Sequence, residues 1–118
     1  MKHDSPEYQQ MLAELKSDYL KSLPKKIELV EQDYDRRDAL ALREQFHKLK
    51  GNGKTYGFES VSILADVVEK LFVDSHEKGL IATPIAISIL HSIYDNEQEQ
   101  KDFTLEQDAR MKEILSLS

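Results

Sequence analysis

The residues with the clearest chemical meaning form a run from His47 to Gly57, which reads His-Lys-Leu-Lys-Gly-Asn-Gly-Lys-Thr-Tyr-Gly. A neutral imidazole is a nucleophile near pH 7, because the ordinary pKa of a histidine is about 6.5. Ammonium groups beside it can hold an anion, and glycines let the backbone of another molecule come close. The run therefore indicates a surface histidine that can accept a phosphoryl group.

Helical spacing would put several of these groups on one face with the histidine. Arg43 stands one turn before His47, Lys50 and Gly51 stand one turn after it, and Lys54 stands two turns after it; such positions share a helix face. We expect Lys50 to neutralise the oxygens of a transferred phosphoryl group, because positioning and charge neutralisation provide most of the catalysis of such transfers. We expect Gly51 to leave room for an incoming partner.

The other basic residues near the histidine, Arg43, Lys48 and Lys54, are candidates for partner docking. For Arg43 and Lys54, a solvated surface charge is an equally good interpretation. Residues 43–54 contain four cations and one acid, a net charge of +3. The net charge of the whole chain is −6, so the residues outside this segment carry −9. This basic segment would complement an acidic site on a partner, whereas the acidic whole disfavours general nucleic-acid binding.

Composition and motifs exclude several classes of function. The chain has no cysteine, which rules out disulfides and thiolate metal sites and suits the cytoplasm. No apolar run approaches the ~20 residues that span a bilayer, so we expect no membrane contact. No glycine-rich phosphate loop and no metal-ligand spacing is present, so we predict no ATP site, no metal and no cofactor of its own. At 118 residues, we expect one domain over 1–118.

Apolar residues recur at three- and four-residue spacing almost throughout, which predicts an all-α fold. With short connections, the architecture should be an antiparallel up-down bundle of the four-helix type, with extra N- and C-terminal helical segments. Ser5-Pro6 is typical of a helix start. Pro24 is expected to restart or kink that helix. The apolar stripe on either side of it is predicted to be Tyr8, Leu12, Leu15, Tyr19, Ile27, Leu29, Val30 and Tyr34.

The next two helices have the clearest patterns. Asp38 is a predicted N-cap, and the helix should end near Thr55 or Tyr56, with Gly57 supplying the permissive backbone of a helix terminus. A second helix is predicted over 58–77, with Gly79 just past its end, and Thr83-Pro84 should open another. The core-facing stripes are Ala39, Leu42, Phe46, Leu49 and Gly53, then Val61, Leu64, Ala65, Val68, Leu71 and Phe72, then Ala86, Ile89, Leu90 and Ile93. A short closing helix should contain Phe103, Leu105, Met111, Ile114 and Leu115.

The run from His47 to Gly57 resembles the signature of the histidine-phosphotransfer (Hpt) family, His-x-x-Lys-Gly with a second glycine ten residues after the histidine. Residues 47–72 particularly resemble the phosphotransfer domain of the chemotaxis kinase. In that family an acid or amide on the following helix, 22 positions beyond the histidine, hydrogen-bonds its Nδ1. Glu69 occupies that position here, and the resemblance implies that it orients His47. Phe46 departs from the family, which commonly has a small residue before the histidine.

The resemblance implies a phosphocarrier in a two-component phosphorelay. His47 would carry a phosphoryl group to or from the aspartate of a receiver domain, with response-regulator receivers, a sensor histidine kinase or both as partners. The receiver would supply Mg²⁺, and the chain would act as a monomer without an ATP site.

Two other functions are compatible with part of the pattern. The same face could dock a receiver or another helical protein as an adaptor, without transferring phosphate. The chain could also be the dimerisation and phosphoacceptor segment of a histidine kinase. That family typically has an acid directly after the histidine and a proline a few residues later. Here Lys48 follows His47, and the first proline after it is Pro84. The other histidines, His3, His76 and His91, are interpreted as structural or solvated, with His76 near a helix C-terminus.

Overall fold

The computed structural model describes residues 5–118 and contains five α-helices. The first four form a bundle in which α1 packs against α2 and α4, and α3 packs against the same two helices. The fifth helix packs on α4 and α3. The prediction of an all-α bundle of the four-helix type is confirmed. The elements are α1 Pro6–Asp35, α2 Ala39–Thr55, α3 Glu59–Asp74, α4 His76–Gln98, a short 3₁₀ helix Leu105–Gln107 and α5 Ala109–Leu115.

The core lies along the bundle axis and takes residues from all five helices. Burial of one such side chain contributes about 1.5–3 kcal/mol relative to leaving it exposed. The predicted stripe of α3 is entirely buried, and so is that of α2 apart from the half-buried Ala39. The largest fully buried side chains are Phe46, Phe72, Leu23, Ile27, Leu42, Leu64, Ile89, Leu90, Ile114, Val30, Val61 and Val68.

Helix α1 runs without interruption through Pro24, so the predicted restart there is wrong, while a kink stays a prediction. Proline lacks the N–H that would bond one turn back, which costs one hydrogen bond. Pro24 itself is exposed, and Leu23 and Ile27 on its flanks are fully buried. Packing on both sides of the proline therefore keeps the two parts in one helix.

The first turns of α1 extend beyond the rest of the bundle. Tyr19 is buried as predicted, but Leu12 and Leu15 are 42% and 40% exposed, so their predicted place in the core is wrong. Leu29, which is 37% exposed, also misses the core. At 30 residues, α1 is longer than both helices against which it packs, α2 with 17 and α4 with 23. The apolar stripe of α1 thus continues past the ends of its partner helices.

The boundary between α3 and α4 differs from the prediction. Helix α3 ends at Asp74, and α4 begins at His76 rather than at Thr83-Pro84. Ser75 has an extended backbone, with φ −161° and ψ 128°, and its side-chain oxygen accepts a hydrogen bond from the backbone N–H of Lys78 at 3.4 Å. One capping serine therefore separates the two helices. His76 is at the N-terminus of a helix, and its predicted place near a C-terminus is wrong.

Gly79 lies inside α4 rather than past the end of α3. Its role is to allow close packing of α4 against α3. A Cβ at this position would stand 2.3 Å from the ring of Phe72, which is buried. Thr83-Pro84, which was expected to begin a helix, also lies inside α4. Pro84 is exposed on α4, and the Thr83 hydroxyl beside it donates to the Gly79 carbonyl at 2.7 Å.

A closing helix is present, but it begins only at Ala109. The predicted inclusion of Phe103 and Leu105 is wrong, because Phe103 lies in the connection and Leu105 in the separate 3₁₀ helix. A polar cluster fixes the start of α5. Asp108 is the N-cap of α5 and accepts from the backbone N–H of Arg110 at 2.8 Å. The Arg110 guanidinium bonds back to Asp108 and also donates to the Ser88 hydroxyl on α4 at 2.8 Å. This cluster ties α5 to α4 over the buried Met111 and Ile114.

Replacement of Asp108 by alanine should lower the free energy of unfolding at pH 7 by about 1 kcal/mol, the usual cost of losing an N-cap. The hydrogen bonds from Arg110 hold the pKa of Asp108 below its ordinary value. A depressed folded-state pKa stabilises the fold above the unfolded-state pKa, and that stabilisation is lost as pH falls through the folded-state value. The free energy of unfolding, measured by urea titration, should therefore fall less between pH 7 and a pH below 3 for Asp108→Ala than for the wild type. Equal differences in Asp108→Ala and the wild type would contradict this account. The exposed Asp102→Ala is the control, expected to behave like the wild type.

Candidate functional site

His47 lies on the solvent side of α2, held there by the buried residues around it. Phe46 is fully buried and Leu49 is 2% exposed, and their packing fixes the rotation of the helix. His47 is one residue, or about 100°, further around the helix than Phe46. Its side chain is 63% exposed. A partner can therefore reach the imidazole while the backbone that carries it stays anchored.

Glu69 of α3 contacts the imidazole of His47 through its carboxylate. Its Oε2 is 2.8 Å from His47 Nδ1, and its side chain is only 15% exposed. An ionised carboxylate can only accept hydrogen bonds, so in this contact Nδ1–H is the donor. In a neutral imidazole the other nitrogen, Nε2, then has a free lone pair.

Lys50 occupies the other side of the same carboxylate. Its Nζ is 3.4 Å from Glu69 Oε1 and 3.3 Å from Asp66 Oδ1. The hydrogen bond to Asp66 and the charge of Glu69 raise the pKa of the Lys50 ammonium above its ordinary value. Lys50 is thus a cation held between two carboxylates, one of which also holds the histidine.

Asp66 was not singled out by the sequence. Lys70, one turn further along α3, stands 3.0 Å from its second oxygen, and hydrogen bonding to Lys70 lowers the pKa of Asp66. The available signal was helical spacing: Asp66 precedes Glu69 by three residues and therefore shares its face of α3.

A shallow depression surrounds the histidine. It is lined by Leu40, Arg43, Glu44, His47 and Glu69. Leu40 is 68% exposed, so the rim offers an apolar contact beside the charged groups. The depression is open to solvent and accessible to a convex partner.

The remaining predicted docking residues do not line this depression. Gly51 is exposed, and a Cβ added to it would meet no atom within 4 Å. Lys48 is exposed on α2. Lys54 lines a second depression with Gly57, Glu59, Ser62 and Ile63. The structure thus brings Arg43, Lys50 and Glu69 to His47 and leaves Lys54 at the neighbouring depression.

The connection between α2 and α3 fixes their relative position. Gly57 has φ +83°, a left-handed conformation that favours glycine, as predicted for the helix end. The Ser62 hydroxyl of α3 donates to the Lys50 carbonyl of α2 at 2.8 Å. A Cβ on Gly53 would stand 3.1 Å from the Ser62 backbone nitrogen. These close contacts between α2 and α3 fix the positions of the two helices along each other, and thereby place His47 opposite Glu69.

A family model described as the Hpt domain matches residues 14–100, which contain every side chain of this site. The chain belongs to the Hpt domain family. Hpt domains carry out histidine phosphotransfer in two-component phosphorelays, where they interact with receiver domains and kinases. They are phosphocarriers rather than ATP-binding kinases. Comparisons with curated proteins and with solved structures gave no significant match.

The other histidines of this Hpt domain have different surroundings. His91 is exposed on α4, with its Nε2 3.8 Å from Glu31 Oε2, beyond hydrogen-bond distance. His76 is exposed in the first turn of α4, and His3 lies outside the described residues. Across residues 5–118, no group of three His, Asp or Glu side chains is arranged to hold a metal ion. In the same range, no helix has the length and apolar character needed to cross a membrane.

Proposed function

We propose that His47 is the phosphoryl carrier of this Hpt domain, with Glu69 as its orienting residue and Lys50 as a charge partner of the phosphoryl group. The observation that supports this most is the 2.8 Å contact between His47 Nδ1 and Glu69 Oε2. A carboxylate on Nδ1–H selects the tautomer in which Nε2 is the nucleophile. The exposure of His47 supports access by a partner protein.

In the proposed transfer, the Nε2 lone pair attacks the phosphorus of an aspartyl phosphate on a receiver domain. The P–Nε2 bond forms as the P–O bond to the aspartate breaks, and the aspartate leaves as a carboxylate. The imidazole ring gains positive charge in this step while it keeps its Nδ1 proton. Glu69 stabilises that charge through the Nδ1–H hydrogen bond. The reverse reaction donates the phosphoryl group to a receiver.

The partner in this proposal is a receiver domain whose acidic pocket holds Mg²⁺. The basic segment 43–54, with a net charge of +3, would attract such a pocket and raise the rate of encounter. Arg43, Lys48 and Lys54 would contact the receiver around the histidine, and Gly51 would leave it room. We further propose that the domain acts as a monomer in the cytoplasm, without metal or nucleotide of its own and without binding nucleic acid.

The proposal is tested by incubating the chain with a phosphorylated receiver domain and Mg²⁺. The wild type should acquire a phosphate that is labile in acid and stable in base, the behaviour of phosphohistidine, and fragmentation mass spectrometry should locate it at residue 47. A chain that binds the receiver without ever acquiring phosphate would instead be an adaptor. Phosphate located at another residue would refute the role of His47.

Glu69→Ala should slow phosphoryl acceptance by roughly tenfold, equivalent to about 1.4 kcal/mol in the barrier. The reason is that the imidazole loses its preferred tautomer and the partner of its developing charge. Glu69→Gln keeps an acceptor for Nδ1–H, so its rate should lie between those of Glu69→Ala and the wild type.

The measurement for the Glu69 variants is the initial rate of label transfer from the receiver at saturating chain concentration. Glu28→Ala on α1 is the control, because it removes one exposed carboxylate whose contact is with Lys25. Glu28→Ala should transfer at the wild-type rate. If Glu69→Ala also did so, Glu69 would not orient the histidine.

A further inference from the structure

Five charged or polar groups form a row across the exposed surface of α2 and α3. His47 contacts Glu69, Glu69 contacts Lys50, Lys50 contacts Asp66, and Asp66 contacts Lys70. The first three belong to the proposed phosphotransfer site. Asp66 and Lys70 extend the row beyond it, so the charge of Lys50 is shared with a residue that does not touch the histidine.

Lys50 is almost equally distant from its two carboxylates, 3.3 Å from Asp66 and 3.4 Å from Glu69. An ammonium has three N–H donors and no acceptor, so a phosphoryl group on His47 would compete with these carboxylates for the same donors. Asp66 opposes that competition in two ways. It holds one donor of Lys50, and its own negative charge repels the phosphoryl oxygens.

We propose that Asp66 is a positioning residue that restrains Lys50 and thereby keeps the phosphohistidine of His47 at a higher free energy, which favours onward transfer to a receiver. This inference rests on the proposed function of His47. The geometry that supports it is the pair of contacts at 3.3 Å and 3.0 Å through which the two Asp66 oxygens engage Lys50 and Lys70. The contact with Lys70 lowers the pKa of Asp66 and fixes the direction of its carboxylate.

The inference predicts an effect on an equilibrium. When the full chain, a receiver and Mg²⁺ exchange one phosphoryl group, the ratio of phosphorylated chain to phosphorylated receiver measures the relative free energy of the phosphohistidine. Asp66→Asn should raise this ratio by about 1.5-fold to fivefold, the range expected for an exposed charge interaction. Asp66→Glu should restore the wild-type ratio. Weaker docking would change the time needed to reach equilibrium and leave the ratio of the free species unchanged.

Asp74→Asn is the matched control. Asp74 is on the same helix and is 61% exposed, and its ion pair is with Lys78 at 2.7 Å, so the substitution removes the same charge without releasing Lys50. Its ratio should equal that of the wild type. Equal increases in Asp66→Asn and Asp74→Asn would overturn the inference in favour of a general charge effect.

The experiment distinguishes failure of the proposed role of His47 from failure of the proposed role of Asp66. A wild-type chain that acquires no phosphate at His47 refutes the proposed function, and the role of Asp66 falls with it. A wild-type chain that is phosphorylated normally, together with an unchanged ratio in Asp66→Asn, refutes the role of Asp66 alone. A thermal melt of each variant establishes that it is folded, which we expect because the Asp66 side chain is 32% exposed.

Discussion

His47→Gln is expected to abolish phosphoryl acceptance from a phosphorylated receiver. Glutamine keeps a polar side chain on the exposed face of α2, so the fold should be retained, but an amide nitrogen is not a nucleophile near pH 7. The groups around the residue cannot replace it, because Glu69 is an acceptor and Lys50 is a protonated cation between two carboxylates. Label transfer followed over time, with the free energy of unfolding measured in parallel, checks both parts of this result.

His91→Gln is the matched control for that experiment. His91 is also an exposed helical histidine beside a glutamate, Glu31 on α1, but at 3.8 Å. Both substitutions should change the free energy of unfolding by less than about 0.5 kcal/mol, as is usual on surfaces. His91→Gln should accept phosphate at the wild-type rate. Undiminished labelling of His47→Gln would remove His47 from the proposed mechanism.

The contact between His47 and Glu69 could be anticipated from the sequence for a physical reason. Each stands next to a buried anchor, Phe46 on α2 and Val68 on α3, and the resemblance to the Hpt family specifies which position on the second helix meets the histidine. The contact between Lys50 and Asp66 was not anticipated. It depends on the level and rotation of two helices relative to each other, which Gly53 and Ser62 determine by close contact.

The elements that were predicted best are those in which capping residues and apolar spacing agree. Helix α2 has both, with Asp38 accepting from the backbone of Ala41 at 3.0 Å at its start and Gly57 at its end. Pro24, Gly79 and Pro84 each indicate a helix boundary when considered alone, and each lies inside a helix. Local chemistry allows such a boundary, but tertiary packing decides whether it forms.

The overhang of α1 has a related cause. A stripe of apolar residues identifies the face of a helix that can be buried, and it carries no information on how far the partner helix extends. Met11, Leu12 and Leu15 continue the stripe of α1. The partner helices are shorter, so these residues stay exposed. The exposure of these residues depends on the difference in length between α1 and its partner helices. That difference can be determined only when both ends of every helix are known.

Gly79→Ala is expected to force the Phe72 ring out of its packed position. The new Cβ would stand 2.3 Å from two ring atoms of Phe72, whose ring is 2% exposed and stacked on Phe46 at a centroid distance of 6.2 Å. Overpacking of this kind costs about 1–3 kcal/mol. Phe46 directly precedes His47, so any shift of the two rings also acts on the turn of α2 that carries the proposed phosphoacceptor.

Gly51→Ala separates the packing effect from helix propensity. Both glycines are helical, and alanine is favoured over glycine in helices by up to about 1 kcal/mol. A Cβ at Gly51 meets nothing within 4 Å, so this variant should gain that stability, and the gap between the two variants should be about 1–3 kcal/mol. Urea titrations with equal slopes would measure the gap directly. If Gly79→Ala proved as stable as Gly51→Ala, the Phe72 ring would have room to move.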